Sequence, residues 1–104
     1  MIVSGGENVY PREVEDALAA DAAVLEVAVF GLPHAHWGEQ VTAAVVLRPG
    51  MTATAVELLQ HVRKRLAGYK CPKQIFLRES LPKSGAGKIL KGELRKQIPR
   101  AEEE

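Results

Sequence analysis

Apolar residues recur along the chain with two periods, one typical of helices and one typical of strands. The helical period occurs three times, because apolar residues three or four positions apart lie on one face of a helix. The first helix begins at Pro11 and is expected to end near residues 20–21. The second follows Thr54 and Glu57, which have the spacing of a capping box, and a short third helix ends before Pro99. The three apolar stripes consist of Val14 and Leu18; Leu58, Leu59, Val62 and Leu66; and Leu90, Leu94 and Ile98.

Three other segments have the apolar pattern of strands. Residues 25–29 alternate in polarity, and the turn-forming residues 31–33 are expected to end that strand. Residues 41–47 are almost continuously apolar, which favours a central position in a sheet. Residues 74–78 predict a short third strand, followed by a polar glycine-rich loop at 82–87. The order of elements predicts a small α+β domain, in which helices cover one or both faces of a sheet of about three strands.

The composition indicates one small domain and fits an intracellular protein. Of its 104 residues 46% are hydrophobic and 5% aromatic, so an aliphatic core is available and wholesale disorder is excluded. Cys71 is the only cysteine, which excludes an intrachain disulfide and fits a reducing compartment. No basic and apolar leader opens the chain, and the longest apolar run, residues 43–47, is too short to span a bilayer. We therefore expect a cytoplasmic protein without a transmembrane segment.

The net charge of +1 conceals an uneven distribution of charged residues. Residues 1–62 contain two basic and eight acidic side chains, whereas residues 63–100 contain twelve basic and two acidic ones. This asymmetry indicates either an anionic partner for the second half or a solvated lysine-rich face. One interpretation is a stand-alone binding module for nucleotides or nucleic acid, although few aromatics and no recognised motif support nucleic acid. A purely structural interaction domain is a further interpretation.

The loop at residues 83–88 is the sharpest local feature of the sequence. Its Gly-Lys ending is similar to a phosphate-binding P-loop, but two positions break that pattern. Pro82 stands where the first glycine belongs, and Ile89 stands where a serine or threonine would hold magnesium. Spacing alone leaves two interpretations: a plain exposed turn, or a mobile support for a lysine that reaches an anion across a cleft.

The aromatic residues beside basic ones also have two interpretations. Trp37 follows a proline turn, and it is either an aromatic at the edge of the core or a stacking surface for a nucleotide base. Tyr69, which precedes a run containing two lysines, has the same two interpretations. Neither residue decides between them from its sequence position alone.

The candidate metal ligands and the single thiol give weaker indications of function. His34 and His36 form a candidate metal pair with Glu39 nearby, but no further ligand is spaced to complete a shell, so we predict no metal site. Cys71 lies between lysines that could lower the pKa of its thiol. A catalytic thiol would also need a base, and because none is apparent we interpret Cys71 as an ordinary free thiol.

Three separated segments, in the same order, resemble the C-terminal domain of acyl-CoA synthetases in the adenylate-forming superfamily. Residues 4–15, SGGENVYPREVE, resemble the segment just after the hinge of that family. Residues 30–33, FGLP, together with residues 37–39, WGE, resemble the family's next block. Residues 81–91, LPKSGAGKILK, resemble its terminal catalytic loop. The resemblance covers essentially the whole chain, and three motifs in register are more specific than any one of them.

The resemblance implies that residues 1–104 form only the small C-terminal lid domain of a larger enzyme. The large N-terminal domain of that family binds ATP with Mg²⁺ and the carboxylic acid; we expect it and the hinge residue upstream of Met1. The family first forms an acyl-adenylate and pyrophosphate, and CoA then displaces AMP. We therefore expect an ATP-dependent acyl-CoA ligase for fatty or related acids, inactive as an isolated domain. The alternative is the lid of an adenylation enzyme that loads a carrier protein.

The resemblance also implies roles for individual residues. Lys88 matches the catalytic lysine of adenylation, whose ammonium would bridge the substrate carboxylate and the phosphate oxygens. In this family the lid then rotates about the hinge and presents a second face to CoA. No metal ligand is implied within this domain. The residues assigned to that second face are Ser4, Gly5 and Gly6 along the pantetheine arm, Trp37 and Tyr69 beside the adenine, and Lys70 and Lys73 at the phosphates.

Overall fold

The computed structural model describes residues 1–98. Within these residues no helix is long and apolar enough to cross a membrane. The predicted end of the last helix at Pro99 lies outside the described residues. In chain order the elements are β1 (Ile2–Ser4), β2 (Glu7–Val9), α1 (Pro11–Ala19), β3 (Val24–His34), β4 (Gly38–Leu47), α2 (Ala55–Arg63), a 3₁₀ turn (Gly68–Lys70), β5 (Gln74–Leu77) and α3 (Lys91–Gln97).

A single sheet of five strands organises the described residues. Its centre is β4, which pairs antiparallel with β3 over almost its whole length. Along its other edge β4 meets β1 at Gly38 and runs parallel to β5 at residues 42–45, and β2 pairs with β1 at the outside. The α+β class and the central position of residues 41–47 are therefore confirmed.

The sheet is larger than the predicted three strands because two segments expected to be loops are extended. Residues 4–8 contain the turn of a β1–β2 hairpin, in which Gly5 and Gly6 have φ angles of 57° and 83°. Such left-handed geometry at both central positions is what a tight two-residue hairpin turn requires. Residues 31–33 do not end β3 but pair in register with residues 39–41 of β4. An edge strand such as β3 tolerates the proline in this segment.

Helices cover both faces of the sheet, as the sequence allowed. On one face α1 and α2 pack against the strands through side chains that are fully buried, namely Val14, Leu18, Leu58 and Val62. On the other face α3 buries Leu94 against Phe30 and Leu32 of β3. The capping box at the start of α2 is also confirmed, because the Thr54 hydroxyl accepts from the Glu57 N–H while the Glu57 carboxylate accepts from the Thr54 N–H.

Candidate functional site

Lys88 lies on a tight hairpin loop between β5 and α3. Lys83 and Ile89 pair as an antiparallel bridge at the base of the loop. Within it the Ser84 N–H donates to the Lys88 carbonyl at 2.8 Å, and the Gly87 N–H donates to the Ser84 carbonyl at 2.9 Å. The Lys88 side chain is exposed, and among residues 1–98 its ammonium has no hydrogen-bond or ion-pair partner. The predicted turn is therefore present, with an available cation on it.

Two ion pairs hold the ends of this loop against the rest of the domain. Lys83 pairs with Glu26 near the start of β3. Lys91, at the start of α3, pairs with Glu15 of α1 at 3.0 Å. The lysines on either side of Lys88 are thus neutralised by carboxylates of the same chain. Because their charge is compensated, Lys88 provides the uncompensated positive charge of the loop.

An open groove continues from Lys88 onto the first turn of α3. It is lined by residues 88–93 and by Lys96. Leu90 is exposed in this groove. The loop therefore presents a cation next to an apolar surface, which suits a partner that is both anionic and partly apolar.

A second surface is formed where the β1–β2 turn meets the β3–β4 turn. The Gly5 N–H donates to the Trp37 carbonyl at 2.9 Å. A Cβ atom added to Gly5 would lie 3.0 Å from Cε3 of the Trp37 indole, so the ring packs directly on the glycine. Ser4 is buried and pairs with Gly38. We call the set formed by Ser4, Gly5, Gly6, Trp37 and Lys73 the glycine-turn surface.

The Trp37 ring combines packing with exposure. The Lys73 ammonium lies 5.0 Å from the ring centre, a cation–π distance, and the His36 and Trp37 rings form a T-shaped pair with their centres 4.6 Å apart. Trp37 nevertheless keeps 36% of its surface exposed. The residue is therefore an aromatic at the edge of the fold, and part of it remains accessible to solvent. The structure brings together five of the seven predicted CoA residues at this place.

The other two predicted CoA residues lie on the 3₁₀ turn, which contacts β2. Tyr69 is exposed, and its ring lies 5.7 Å from the Lys70 ammonium. That ammonium lies 3.0 Å from a carboxylate oxygen of Glu13, and the hydrogen bond between them raises the pKa of Lys70. Lys70 is thus already engaged by an anion, so a phosphate would have to compete with Glu13 for it.

The two histidines have a structural role in the turn before Trp37. The His34 Nδ1 accepts from the N–H groups of His36 and Trp37, each at 3.1 Å. Across residues 1–98 no group of three or more His, Cys, Asp or Glu side chains is arranged to hold a metal ion. His34 therefore fixes the main chain that carries the Trp37 ring.

Cys71 is a buried free thiol, which agrees with its interpretation as an ordinary one. The lowering of its pKa that neighbouring lysines could cause does not prevail. Burial raises the pKa of Cys71, and this desolvation outweighs the opposing Coulombic effects of Arg63 and Lys73. The thiol is therefore not prepared for nucleophilic chemistry.

Sequence reasoning missed the carboxylates that organise both surfaces. Glu13, Glu15 and Glu26 pair with lysines far away in the sequence, and no local pattern indicates such pairs. Glu39 belongs to the segment WGE that resembles the family and lies near the histidines, but neither observation predicts that its carboxylate accepts from the Val3 N–H at 2.9 Å. The one available signal was a glutamate directly after Trp-Gly at the start of an otherwise apolar strand.

The comparisons with known proteins identify the class of this α+β domain as the small C-terminal domain of adenylate-forming enzymes. The model of the AMP-binding enzyme C-terminal domain matches residues 13–88, and the chain belongs to this family. It is 50% identical over 98 residues to the feruloyl-CoA synthase of an Amycolatopsis species. It is 48% identical over 94 residues to the long-chain-fatty-acid–CoA ligase of Bacillus subtilis (strain 168).

These comparisons cover most of this chain but a small share of the other proteins. The two alignments include 94% and 90% of this chain, against 20% and 17% of the relatives. The crystal structure of ATP-bound MatB from Rhodopseudomonas palustris superposes with a TM-score of 0.89 at 39% identity, over 93% of this chain and 19% of that one. The chain thus spans about a fifth of the length of the curated relatives it matches.

Proposed function

We propose that the chain is the C-terminal domain of an ATP-dependent acyl-CoA ligase and that it supplies a different surface to each half-reaction. The observation that carries this proposal is the exposed, unpaired ammonium of Lys88 on a loop whose other lysines are paired. The family membership and the similarity to CoA ligases support the reaction class. The partner of this domain is then a larger N-terminal domain that holds most of the ATP and acid contacts.

Lys88 acts in the first half-reaction. A carboxylate oxygen of the acid attacks the α-phosphorus of Mg-ATP, the bond from that phosphorus to the pyrophosphate oxygen breaks, and an acyl-adenylate forms. Two anions must approach each other in this step. The Lys88 ammonium, placed between the carboxylate and the phosphoryl oxygens, offsets their repulsion and stabilises the charge that develops in the transition state.

The glycine-turn surface acts in the second half-reaction. The thiol of CoA loses its proton and attacks the acyl carbonyl, and AMP leaves as the thioester forms. The Trp37 indole covers Gly5, but nothing lies within 4 Å of a Cβ atom added to Gly6, so the pantetheine arm passes close to the backbone there. Trp37 and Tyr69 flank the adenine, and Lys73 contacts the phosphates. Lys70 does so after exchanging Glu13 for a phosphate oxygen.

The placement of the two surfaces supports a rotation of the domain between the half-reactions. The Lys88 loop is tied to Glu26, near the start of β3, whereas Trp37 follows the opposite end of that strand at His34. Glu26 and His34 stand eight positions apart on β3, about 26 Å along an extended strand. A rotation of the domain would let one reaction centre meet the two surfaces in turn.

The acid is a fatty acid or a related carboxylic acid. The relatives named above carry feruloyl and long-chain fatty-acid names, and both types of acid share the carboxylate on which this domain acts. We assign the acyl pocket to the N-terminal partner, so the chain length and ring content of the acid are determined there. A cytoplasmic location fits the single free thiol.

The test uses the full-length protein that contains this domain. Lys88→Ala is expected to lower ATP–pyrophosphate exchange by about 10²–10³-fold, the usual effect of removing one group that stabilises developing charge. Thioester formation from supplied acyl-adenylate and CoA is expected to be largely retained. The matched control is Lys64→Ala, which removes an exposed lysine at the end of α2.

Equal loss in both half-reactions, or exchange that Lys88→Ala leaves intact, would contradict the assignment of Lys88. A panel of saturated fatty acids and ferulate identifies the acid, with CoA and a phosphopantetheinyl carrier protein compared as acceptors. Preference for the carrier protein would make the chain the lid of a carrier-loading enzyme. Salt-sensitive binding of nucleic acid by the chain without any ligase activity would instead favour a binding module.

A further inference from the structure

Glu39 connects three strands at the base of the glycine-turn surface. It lies on β4 opposite Pro33, and its Oε1 accepts from the Val3 N–H of β1 at 2.9 Å. Its carboxylate also occupies the space above Gly31 of β3. A Cβ atom added to Gly31 would lie 2.5 Å from Glu39 Oε2 and 3.0 Å from its Cδ. Glycine at position 31 therefore makes room for this carboxylate.

The hydrogen bond to Val3 stands in for strand pairing that the main chain does not provide. The ladder between β1 and β4 contains the single pair Ser4–Gly38. One residue earlier, the Val3 N–H is held by the Glu39 side chain instead of by a carbonyl of β4. β1 leads directly into Gly5, so this bond, together with the bond from the Gly5 N–H to the Trp37 carbonyl, fixes where the glycine turn lies relative to β4.

Glu39 is also close in sequence to Trp37, whose ring forms the other side of the contact with Gly5. Trp37, whose ring packs on Gly5, precedes Glu39 by two positions, and Val3 precedes Gly5 by two positions. A movement of β1 relative to β4 therefore changes the contact between the glycine and the indole from both sides. Because bonds of this type to a carboxylate are strong, one side chain is sufficient to hold the two segments in register.

We propose that Glu39 is a positioning residue for the CoA-dependent half-reaction. It touches neither substrate nor reacting atoms; it holds β1 so that Gly5 meets Trp37 and the backbone beside the pantetheine arm stays in place. Gly31 is its required partner, because any side chain there displaces the carboxylate. The kinetic part of this inference rests on the proposed function, whereas its structural part does not.

The structural part is tested on the 104-residue chain. Trp37 is the only tryptophan, so its fluorescence reports on this surface alone. Glu39→Ala is expected to shift the emission and to speed hydrogen exchange at the Val3 amide by roughly tenfold, as for the loss of one charged hydrogen bond. Glu39→Gln keeps an acceptor oxygen and should restore most of the protection. Gly31→Ala should resemble Glu39→Ala although the glutamate is retained.

Glu57→Ala is the matched control for this experiment. It also removes a carboxylate that accepts a main-chain N–H at 2.9 Å, from Thr54, but at the start of α2. It should lower stability without changing Trp37 emission or Val3 exchange. Equal behaviour of Glu39→Ala and Glu57→Ala in these two measurements would overturn the inference, since it would reduce Glu39 to a general stabilising residue.

The kinetic part is tested on the full-length protein. With supplied acyl-adenylate, Glu39→Ala should raise the KM for CoA by roughly tenfold. ATP–pyrophosphate exchange should stay at the wild-type level. Losses of the same size in both half-reactions would overturn the positioning role. If the wild-type protein forms no acyl-CoA from any acid tested, the proposed function fails, while the Val3 and Trp37 measurements still decide whether Glu39 positions the turn.

Discussion

At the scale of single residues, Gly5 combines a left-handed backbone conformation with a close contact to the Trp37 ring. Its φ of +57° lies in the left-handed region, and its Cα faces the Trp37 ring. We predict that Gly5→Ala lowers the free energy of unfolding by roughly 1–3 kcal/mol, because alanine is strained in this conformation and must displace the indole. Urea unfolding followed by Trp37 fluorescence measures the loss, and the CoA half-reaction should slow with it.

Gly50 provides the control for this prediction. It also has a positive φ, 79°, but no atom lies within 4 Å of an added Cβ. Gly50→Ala should therefore show only the backbone effect, about 1–2 kcal/mol, without a change in the CoA half-reaction. If the two alanine variants slow that half-reaction equally, the contact between Gly5 and Trp37 has no specific role in it.

The buried thiol of Cys71 gives a prediction about pH. Because burial raises the pKa of Cys71 in the folded state, the unfolded chain releases this proton first as the pH rises. Stability should therefore decline above the ordinary thiol pKa, and Cys71→Ala should lack this part of the pH dependence. Alkylation by iodoacetamide should be slow in the folded protein at pH 8 and fast in urea. Rapid alkylation of the folded protein at that pH would contradict the buried setting.

Single residues also show the limit of prediction from sequence. The exposure of Lys88 was predictable from the sequence, because a lysine on a short glycine-rich turn has few ways to become buried. The ion pair of Lys70 was not predictable, because its partner Glu13 is 57 positions away and their contact depends on how the 3₁₀ turn packs near α1. The pKa of Cys71 was not predictable for a related reason: the neighbouring charges are visible in the sequence, whereas the burial that raises the pKa is not.

At the scale of elements, the capping box of α2 is the best-determined feature of the sequence. The Thr54 hydroxyl and the Glu57 carboxylate each accept a main-chain N–H of the other residue. Thr54→Ala should destabilise the domain by about 1 kcal/mol, since one N–H of the first turn loses its acceptor. Thermal unfolding measures this, with the exposed Thr52→Ala as a control. A loss as large in Thr52→Ala would show that the cap does not stabilise α2.

The helices were easier to predict than the strands for a physical reason. Each helix repeats its apolar face over at least two turns, whereas β1 and β2 have three residues each and leave almost no pattern. The pair Gly5–Gly6 indicates a loop, but two glycines between short extended segments also fit a tight hairpin turn. The predicted end of β3 lies too early in the chain, because Pro33 indicates a turn unless the strand lies at an edge.

At the scale of the whole molecule, the sheet separates the Lys88 loop from the glycine-turn surface, and we propose that these act in successive half-reactions. The Lys88 loop is anchored near the start of β3 and the glycine-turn surface lies beyond its end. The order of motifs in the sequence predicts neither this distance nor the direction of each surface. The separation of the two surfaces follows from the parallel pairing of β5 with β4, which carries the chain to the end of the sheet opposite Trp37 before the loop begins.

This separation predicts that carboxylates at the two ends affect different half-reactions. Glu26→Gln removes the ion pair with Lys83 and loosens one end of the Lys88 loop. Adenylation should slow by roughly fivefold, the equivalent of one ion pair worth about 1 kcal/mol, whereas the KM for CoA should not change. Asp16→Asn, which removes the exposed pair with Arg12 on α1, is the control and should alter neither.

Glu26→Gln and Glu39→Ala should thus give opposite patterns in the same two assays, ATP–pyrophosphate exchange and thioester formation from supplied acyl-adenylate. The reason is geometric: each carboxylate fixes one end of the sheet, and a rigid sheet does not transmit a local loosening to its far end. If Glu26→Gln instead raised the KM for CoA as much as it slowed adenylation, the two surfaces would be coupled through the domain. A rotation that presents them one after the other would then not account for their positions.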